Sequence, residues 1–272
     1  MNNRGFTLTE LIVATIVMAI LGTALTRILI DDSQFVDKMD AMMAARQVAR
    51  AGMSIMSLDF QMVSDGGLVA AEPESVTVRV PYAFGMICRT TGSNTTASLV
   101  PSDSLVYADA NPSGLAWRDA SGDYNFLTGI TVAGSSDPSD CTADSIRAIP
   151  GGRLIVLTGA SSVQSGRLFY LYETIKYSFG PSVDLPGKIG LYRTDGLATR
   201  EELLAPFDSD AGFAFLMGQD MSAASTVTPA QLVNVRGFEL KLIGESYFVP
   251  QGEAEPQIFD LRTSVAFRNV VN

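Results

Sequence analysis

The sequence predicts an α+β protein in which a long N-terminal helix packs on an antiparallel β-sheet head. The first proline is Pro73, so nothing before it forbids one continuous helix. Within that helix, apolar residues recur every three or four positions, which indicates one face packed on a core. From Leu68 onward the period changes to two, which is typical of strands with one solvated face. Antiparallel sheet on one amphipathic helix is the α+β arrangement.

The helix is predicted to run from about Phe6 to Ser64, roughly 88 Å at 1.5 Å per residue. Asp65-Gly66-Gly67 supplies the stop signal. The face expected to pack on the head has alternating spacings of four and three and carries a single polar member, Arg46. Its members are Phe35, Met39, Met42, Arg46, Ala49, Met53, Met56, Phe60 and Val63.

The first part of the helix has the composition of a membrane span. From Phe6 to Ile30 only Glu10 and Arg27 are charged. At 1.5 Å per residue this segment covers about 37 Å, enough to cross a bilayer with some tilt. A carboxylate near the start of such a span is unfavourable unless it is paired, so Glu10 requires an explanation.

Alternating apolar residues predict several strands in the head. The clearest patterns are Val76 to Val80, Phe169 to Tyr177, Phe238 to Leu242 and Phe259 to Phe267. Segments 153–158 and 188–193 are predicted as further strands. Residues 90–103, 133–144 and 180–187 are rich in turn formers and are expected to separate them.

Composition argues against several classes of function. The 19 Lys and Arg against 29 Asp and Glu give a net charge of −10, which repels nucleic acid, so no nucleic-acid partner is expected. Histidine is absent, which removes the commonest general base and the usual zinc ligand sets. Together with the absence of a phosphate-binding loop or a catalytic acid pair, this predicts a protein that is not an enzyme and needs no cofactor.

Two further sets of residues are candidates for sites. Cys88 and Cys141 would close a loop of about 54 residues if oxidised, worth about 4 kcal/mol in the chain-entropy model; the alternative is two unrelated buried thiols. Asp208 and Asp210 precede Gly212 and form a fragment of a calcium-binding loop. The later bidentate acid of such a loop is missing, so an ordinary Asp/Gly turn is the alternative and no metal is expected.

Three interpretations of the N-terminus compete. A cleaved secretory signal would use Arg4, the apolar run and the small residues Gly22 to Ala24, but Glu10 cancels the basic charge that such a signal needs. A plain signal anchor has the right length but leaves Glu10 unexplained. The third interpretation starts from Arg4-Gly5-Phe6-Thr7-Leu8-Thr9-Glu10 and the apolar run behind it.

That stretch resembles the class III leader of type IV pilins and type II secretion pseudopilins. The resemblance implies that a prepilin peptidase cuts between Gly5 and Phe6 and that the new amine of Phe6 is methylated. Glu10 would then neutralise that amine when apolar helices bundle into a filament. The implied partners are the prepilin peptidase, other pilin or pseudopilin subunits, an inner-membrane assembly platform, and the membrane itself before assembly.

The head shows a shorter resemblance to PilW-type minor pilins and J-type minor pseudopilins of type II secretion. The matching segments are Arg50-Ala51-Gly52, Met56 to Phe60, Ile175 to Ser178, Leu191 to Arg193 and Leu261 to Asn269. The resemblance implies a minor pilin anchored in the inner membrane with its head in the periplasm, and later in a pilus at the cell surface. A minor pseudopilin and a pilus-borne adhesive module are the alternatives, the latter because residues 90–150 match no family pattern.

The chain is accordingly expected to divide into four parts. Residues 1–5 form the leader, 6–30 the membrane and filament-core helix, 31–64 the amphipathic helix that continues into the head, and 65–272 the β-rich head.

Overall fold

One long helix stands at the start of the chain and a β-rich head follows it. The computed structural model describes residues 7–103, 111–134, 141, 148–196 and 199–267. Helix α1 runs without a break from Leu8 to Met62, 55 residues, and is about 82 Å long. The predicted continuous helix is confirmed within two residues at each end.

The end of α1 follows from its sequence. The backbone N–H of Val63 donates to the Phe60 carbonyl at 3.3 Å, and the N–H of Gly67 donates to the Ser64 carbonyl at 2.8 Å. Gly66 has φ of +71°, the left-handed conformation that glycine adopts at little cost. The chain therefore leaves the helix and enters the first strand at Leu68.

The described part of the head contains fourteen strands, and every strand pairing is antiparallel. In chain order they are β1 (Leu68–Glu72), β2 (Ser75–Thr91), β3 (Asn94–Leu99), β4 (Gly114–Arg118), β5 (Tyr124–Thr128), β6 (Thr131–Gly134), β7 (Leu154–Thr158), β8 (Leu168–Pro181), β9 (Ile189–Asp195), β10 (Glu201–Phe207), β11 (Gly212–Met217), β12 (Ser222–Ala224), β13 (Val235–Glu245) and β14 (Ile258–Ala266). Each predicted strand coincides with one of these elements and extends past it by at most one residue.

The strands form one branched sheet. Its main path is β12-β11-β13-β10-β9-β8-β2-β3-β7-β6, with β13 and β10 joined by the single pair Phe207 and Gly244. Strand β1 pairs with β2, β14 pairs with β13, and the β4–β5 hairpin pairs with β8. A short 3₁₀ helix, Pro229–Asn234, leads into β13.

The larger apolar core lies between α1 and the sheet. Phe60 is fully buried at its centre, and its ring centroid lies 5.4 Å from that of Tyr177, 6.2 Å from that of Phe213 and 4.5 Å from that of Phe238. All three are edge-to-face contacts, which add to the energy of area burial. The C-terminal end of α1 is thus held by aromatic packing.

The predicted helix face is right from Ala49 onward, but before it only Met42 is partly buried, and Phe35, Met39 and Arg46 are exposed. The helix residues that are buried are Ala41, Ala45, Ala49, Gly52, Met56 and Phe60. Phe35 and Met39 are 63% and 45% exposed. The reason is the close approach of α1 to β13, where a Cβ on Gly244 would lie 2.1 Å from the Ala45 carbonyl oxygen. Only small residues fit there, and the larger side chains turn aside.

A second apolar core lies farther along the sheet, among β2, β3, β4, β7 and β8. Its members include Ile87, Leu99, Leu115, Ile155, Leu157 and Leu171. The prediction that residues 90–103 are a turn region is wrong, because β3 occupies Asn94–Leu99. Of the predicted turn region 133–144, residues 135–140 and 142–144 lie outside the described residues.

Strand β3 escapes prediction because three of its five buried residues are hydroxylic. Thr95 is fully buried and donates from Oγ1 to the Ala160 carbonyl at 3.0 Å. Ser98, also buried, accepts from the Ile149 N–H at 2.9 Å. A satisfied hydroxyl can be buried at modest cost, so these polar residues occupy a strand whose sequence lacks apolar alternation.

Candidate functional site

The candidate site is the first part of α1, which is not buried by the described part of the head. Every residue from Thr7 to Ser33 is exposed, and the first buried helix residue is Ala41. The segment is long and apolar enough to cross a membrane, and its most apolar stretch is not buried by the described residues. Thirteen large apolar side chains between Leu8 and Ile30 lie open, a surface that is unfavourable in water.

The threonine hydroxyls inside the apolar run bond to backbone carbonyls of the same helix. Thr15 donates to the Ile12 carbonyl at 2.8 Å, Thr23 to the Ile20 carbonyl at 2.9 Å, and Thr26 to the Gly22 carbonyl at 2.8 Å. In hydrocarbon a hydroxyl has no water to bond to, so these bonds remove the cost of three buried donors. Between Leu11 and Thr26 the surface offered to lipid or to another helix is therefore apolar in effect, and Arg27 follows at its end.

The helix begins in a capping box built by Thr7 and Glu10. The Glu10 Oε2 accepts from the Thr7 backbone N–H at 2.9 Å and from the Thr7 hydroxyl at 2.9 Å. The Thr7 Oγ1 accepts from the Glu10 N–H at 3.4 Å. A carboxylate here also interacts favourably with the positive end of the helix dipole. Glu10 therefore has a local role within one chain.

Sequence reasoning missed Thr7 as the partner of Glu10. The signal was present, since Thr7-Leu8-Thr9-Glu10 has the T-x-x-E spacing of a capping box. Gly5 and Phe6, the predicted cleavage residues, lie outside the described residues. The predicted ion pair between Glu10 and a Phe6 amine consequently stays a prediction.

A comparison with known families decides what kind of N-terminus this is. Residues 1–26 match the model of the prokaryotic N-terminal methylation motif. The chain carries the N-terminus of a type IV pilin-like precursor. Such a precursor is processed by a prepilin peptidase, is anchored in the membrane by its apolar helix and assembles with other pilins. No curated protein and no solved structure shows significant similarity to the chain.

The head of this pilin-like chain is tied to the helix by polar contacts as well as by its core. On the buried side, the Tyr177 hydroxyl donates to Asp59 Oδ2 at 2.6 Å. Burial, followed by this hydrogen bond to a carboxylate, raises the pKa of Tyr177 above its ordinary value. Tyr177 therefore remains a neutral donor and holds the last turns of α1 on the sheet.

A second tie lies nearer the membrane segment. The loop between β13 and β14 reaches back to α1, where Lys38 Nζ lies 2.6 Å from Glu253 Oε1. Both side chains are partly exposed. This pair holds α1 just before the first buried residue, Ala41, so it marks the boundary between the free and the packed parts of the helix.

The remaining candidate residues lie away from the helix N-terminus. Cys88 and Cys141 are both buried and form a disulfide with an S–S distance of 2.04 Å. Asp208 accepts from the Asp210 N–H at 2.8 Å in the turn between β10 and β11, and Asp210 Oδ2 lies 3.7 Å from Lys241 Nζ. Within the described ranges no group of three or more potential ligands is arranged to hold a metal ion.

Proposed function

We propose that the chain is a minor pilin that is cut after Gly5, methylated at Phe6 and incorporated into, or used to prime, a type IV pilus. Its head lies in the periplasm before assembly and on the filament afterwards. It acts by assembly and not by catalysis. Its partners are the prepilin peptidase, other pilin subunits and the inner-membrane assembly platform.

One observation carries the proposal: among the described residues, none buries the apolar part of α1. Each large apolar side chain moved from water into an apolar environment gains about 1.5–3 kcal/mol, so thirteen of them require lipid or protein around them. A membrane supplies this environment before assembly, and neighbouring pilin helices supply it in a filament. The methylation motif matched at residues 1–26 supports the second environment.

Glu10 has two roles in this proposal. Within one chain it closes the capping box with Thr7. In the filament its carboxylate neutralises the amine of Phe6, in the same chain or a neighbour, since an unpaired charge in an apolar helix bundle is strongly unfavourable. The pairing of a fixed carboxylate with a fixed terminus would also set the axial stagger between subunits.

Mass spectrometry of the mature protein tests the processing step. The expected N-terminus is methylated Phe6, and Gly5→Val should accumulate the uncut precursor. A mature chain that retains residues 1–5, or one that begins near Leu25, would contradict the proposal. The second result would indicate ordinary secretion.

Two variants separate the two roles of Glu10, helix capping and charge pairing. Glu10→Gln keeps the capping box, because glutamine closes it as glutamate does, but removes the charge. Thr7→Val removes the cap and keeps the charge. Both should be processed. We expect Glu10→Gln to be nearly absent from sheared filaments and Thr7→Val to be present at close to the wild-type level; the opposite ranking would show that capping, and not charge pairing, is what Glu10 provides.

A second candidate function is an adhesive module carried on the pilus. The observation that favours it is the second core, which is separate from the helix and bears a polar depression lined by Arg89, Thr91, Asn94, Thr96 and Val156. Arg89→Ala should then reduce attachment of cells to surfaces without changing the number of pili. A parallel loss of pili would assign this face to assembly instead.

A minor pseudopilin of a type II secretion system shares the same N-terminal chemistry. Deletion of the gene distinguishes the two systems directly. Loss of pili with normal protein export supports the pilus, and the reverse supports secretion.

A further inference from the structure

Strand β14 is a long edge strand. Among the described strands it pairs only with β13, through nine consecutive residue pairs from Gly237 with Ala266 to Glu245 with Ile258, without a bulge. Nine residues of strand extend about 30 Å. Regular, unbulged edges are the ones that accept another strand.

The hydrogen bonds that flank β14 show which of its backbone groups point away from β13. The Phe267 N–H donates to the Arg236 carbonyl, and the Ser246 N–H donates to the Gln257 carbonyl, both at 2.9 Å. In an antiparallel ladder the residues that bond to the partner alternate with residues that point away. Both bonds set the same alternation, so the odd-numbered residues of β14 face β13. The residues whose N–H and C=O groups point to the open side are Ile258, Asp260, Arg262, Ser264 and Ala266.

Other open edges of the described sheet offer less. Strands β12, β6, β5 and β1 have three, four, five and five residues. Strand β10 has seven, but its register with β9 shifts twice. Short and irregular edges are how proteins protect themselves against unwanted pairing. Only β14, among the described strands, combines length with an unbroken register.

The open edge lies on the flank of α1 that also carries exposed apolar residues. The Arg46 guanidinium lies 5.2 Å from the centroid of the Phe259 ring, which places β14 beside that side of the helix. At 100° per residue, Phe35 and Met39 lie within about 20° of Arg46 around the helix axis. They are 63% and 45% exposed, and they continue the apolar surface of the membrane segment toward the head. The two unpartnered features are therefore neighbours.

We propose that the open edge of β14 accepts an extended strand from a neighbouring pilin-like subunit whose helix packs on the Phe35 and Met39 flank. This rests on the proposed function, because the helix surface is continuous with the one that enters the filament. The incoming segment gains up to ten backbone hydrogen bonds, one N–H and one C=O from each of the five outward residues. Main-chain pairing of this kind supplies affinity without requiring a matched sequence.

The surface also specifies the chemistry of the incoming strand. The odd-numbered side chains of β14, among them Phe259 and Leu261, face the helix and are partly buried, so the new strand should carry apolar residues at alternate positions on that side. The outer face carries Asp260 and Arg262, whose Oδ2 and Nη2 lie 3.1 Å apart. This face has no net charge, so it requires polar but not charged residues opposite it.

Proline substitution tests the edge directly. Ser264→Pro removes an N–H that points to the open side, a position where an edge strand tolerates proline, while Ser264→Ala keeps that N–H and removes only the hydroxyl. We expect both variants to be processed, with Ser264→Pro at least about tenfold depleted from sheared filaments and Ser264→Ala unchanged. Equal incorporation of both variants would overturn the proposal.

Hydrogen exchange on the wild-type chain keeps the test independent of any folding defect in the proline variant. On going from the detergent-solubilised subunit to the filament, the amides of Ile258, Asp260, Arg262, Ser264 and Ala266 should exchange about tenfold more slowly or more. The amides of Phe259, Leu261, Thr263 and Val265, already bonded to β13, serve as the internal control. Fast exchange of the outward amides in filaments that contain the chain would refute strand addition and leave the pilin function intact. A chain that never enters filaments would refute both.

Discussion

The two halves of α1 differ in composition and in their partners: between Leu8 and Ile30 only Glu10 and Arg27 are charged, whereas the second half carries charged residues around an apolar stripe. From Leu8 to Ile30 the large apolar side chains are Leu, Ile, Val and Met, and all of them are exposed. From Ala41 to Phe60 the buried positions recur every three or four residues and begin with the small residues Ala41, Ala45 and Ala49. The difference teaches that a helix surface that is apolar all round is left for lipid or other helices, whereas an apolar stripe packs on its own sheet, with small residues where the helix lies closest to β13.

Aromatic packing at the end of α1 gives the largest expected contrast between the halves. Phe60→Ala should lower the free energy of unfolding of the head by about 3–5 kcal/mol, because it empties a site surrounded by three rings. Phe35→Ala is the matched change on the exposed flank and should stay within about 0.5 kcal/mol. Chemical denaturation of the detergent-solubilised full chain measures both.

A similar loss of unfolding free energy in Phe60→Ala and Phe35→Ala would contradict the comparison. It would mean that Phe35 packs on the head in solution. An unchanged head stability with reduced incorporation of Phe35→Ala into filaments would sharpen it, because the exposed flank would then have a partner only after assembly.

Glycine substitutions probe the close approach of α1 to the sheet. Gly244→Ala places a Cβ 2.1 Å from the Ala45 carbonyl oxygen and should destabilise the head by about 1–3 kcal/mol, as overpacking does. Gly22→Ala is the control in the free half, where an added Cβ meets nothing within 4 Å. It should leave the head unchanged and strengthen the helix by up to about 1 kcal/mol. Thermal denaturation followed by near-ultraviolet circular dichroism reports on the head, and equal shifts in the two variants would argue against tight packing at Gly244.

The ion pair at the boundary between the two halves of α1 should contribute least to the stability of the head. The Lys38 and Glu253 side chains are 51% and 38% exposed, and exposed ion pairs are typically worth about 0.2–1 kcal/mol. Lys38→Ala should therefore lower head stability by no more than about 1 kcal/mol, and the effect should shrink at high salt. A double-mutant cycle with Glu253→Ala isolates the pair. A coupling energy well above that range would mean that the loop between β13 and β14 is a main support of the helix.

The sequence alone predicts the length of α1 and the strands with clean alternation, such as β13 and β14, because period and stop signals are local properties. It does not predict that Phe35 and Met39 turn away from the head, since that depends on how closely Gly244 lets α1 approach β13. Strand β3 is missed because its buried Thr95 and Ser98 are satisfied by distant carbonyl and N–H groups. The role of Glu10 is predicted in part: its charge draws attention, but its bonds to Thr7 emerge only from the geometry.

The central claim is that the first half of α1 packs on other subunits in the filament, while the second half packs on its own head. The most direct test is a photocrosslinking residue placed at Val17, in the first half, in cells that assemble filaments. The account predicts that in sheared filaments this position forms a covalent adduct with another subunit that carries a methylated pilin-like N-terminus, while the same label at the exposed Ser54 of the packed half does so much less. Capture of lipid alone at Val17 in filaments that contain the chain would contradict it.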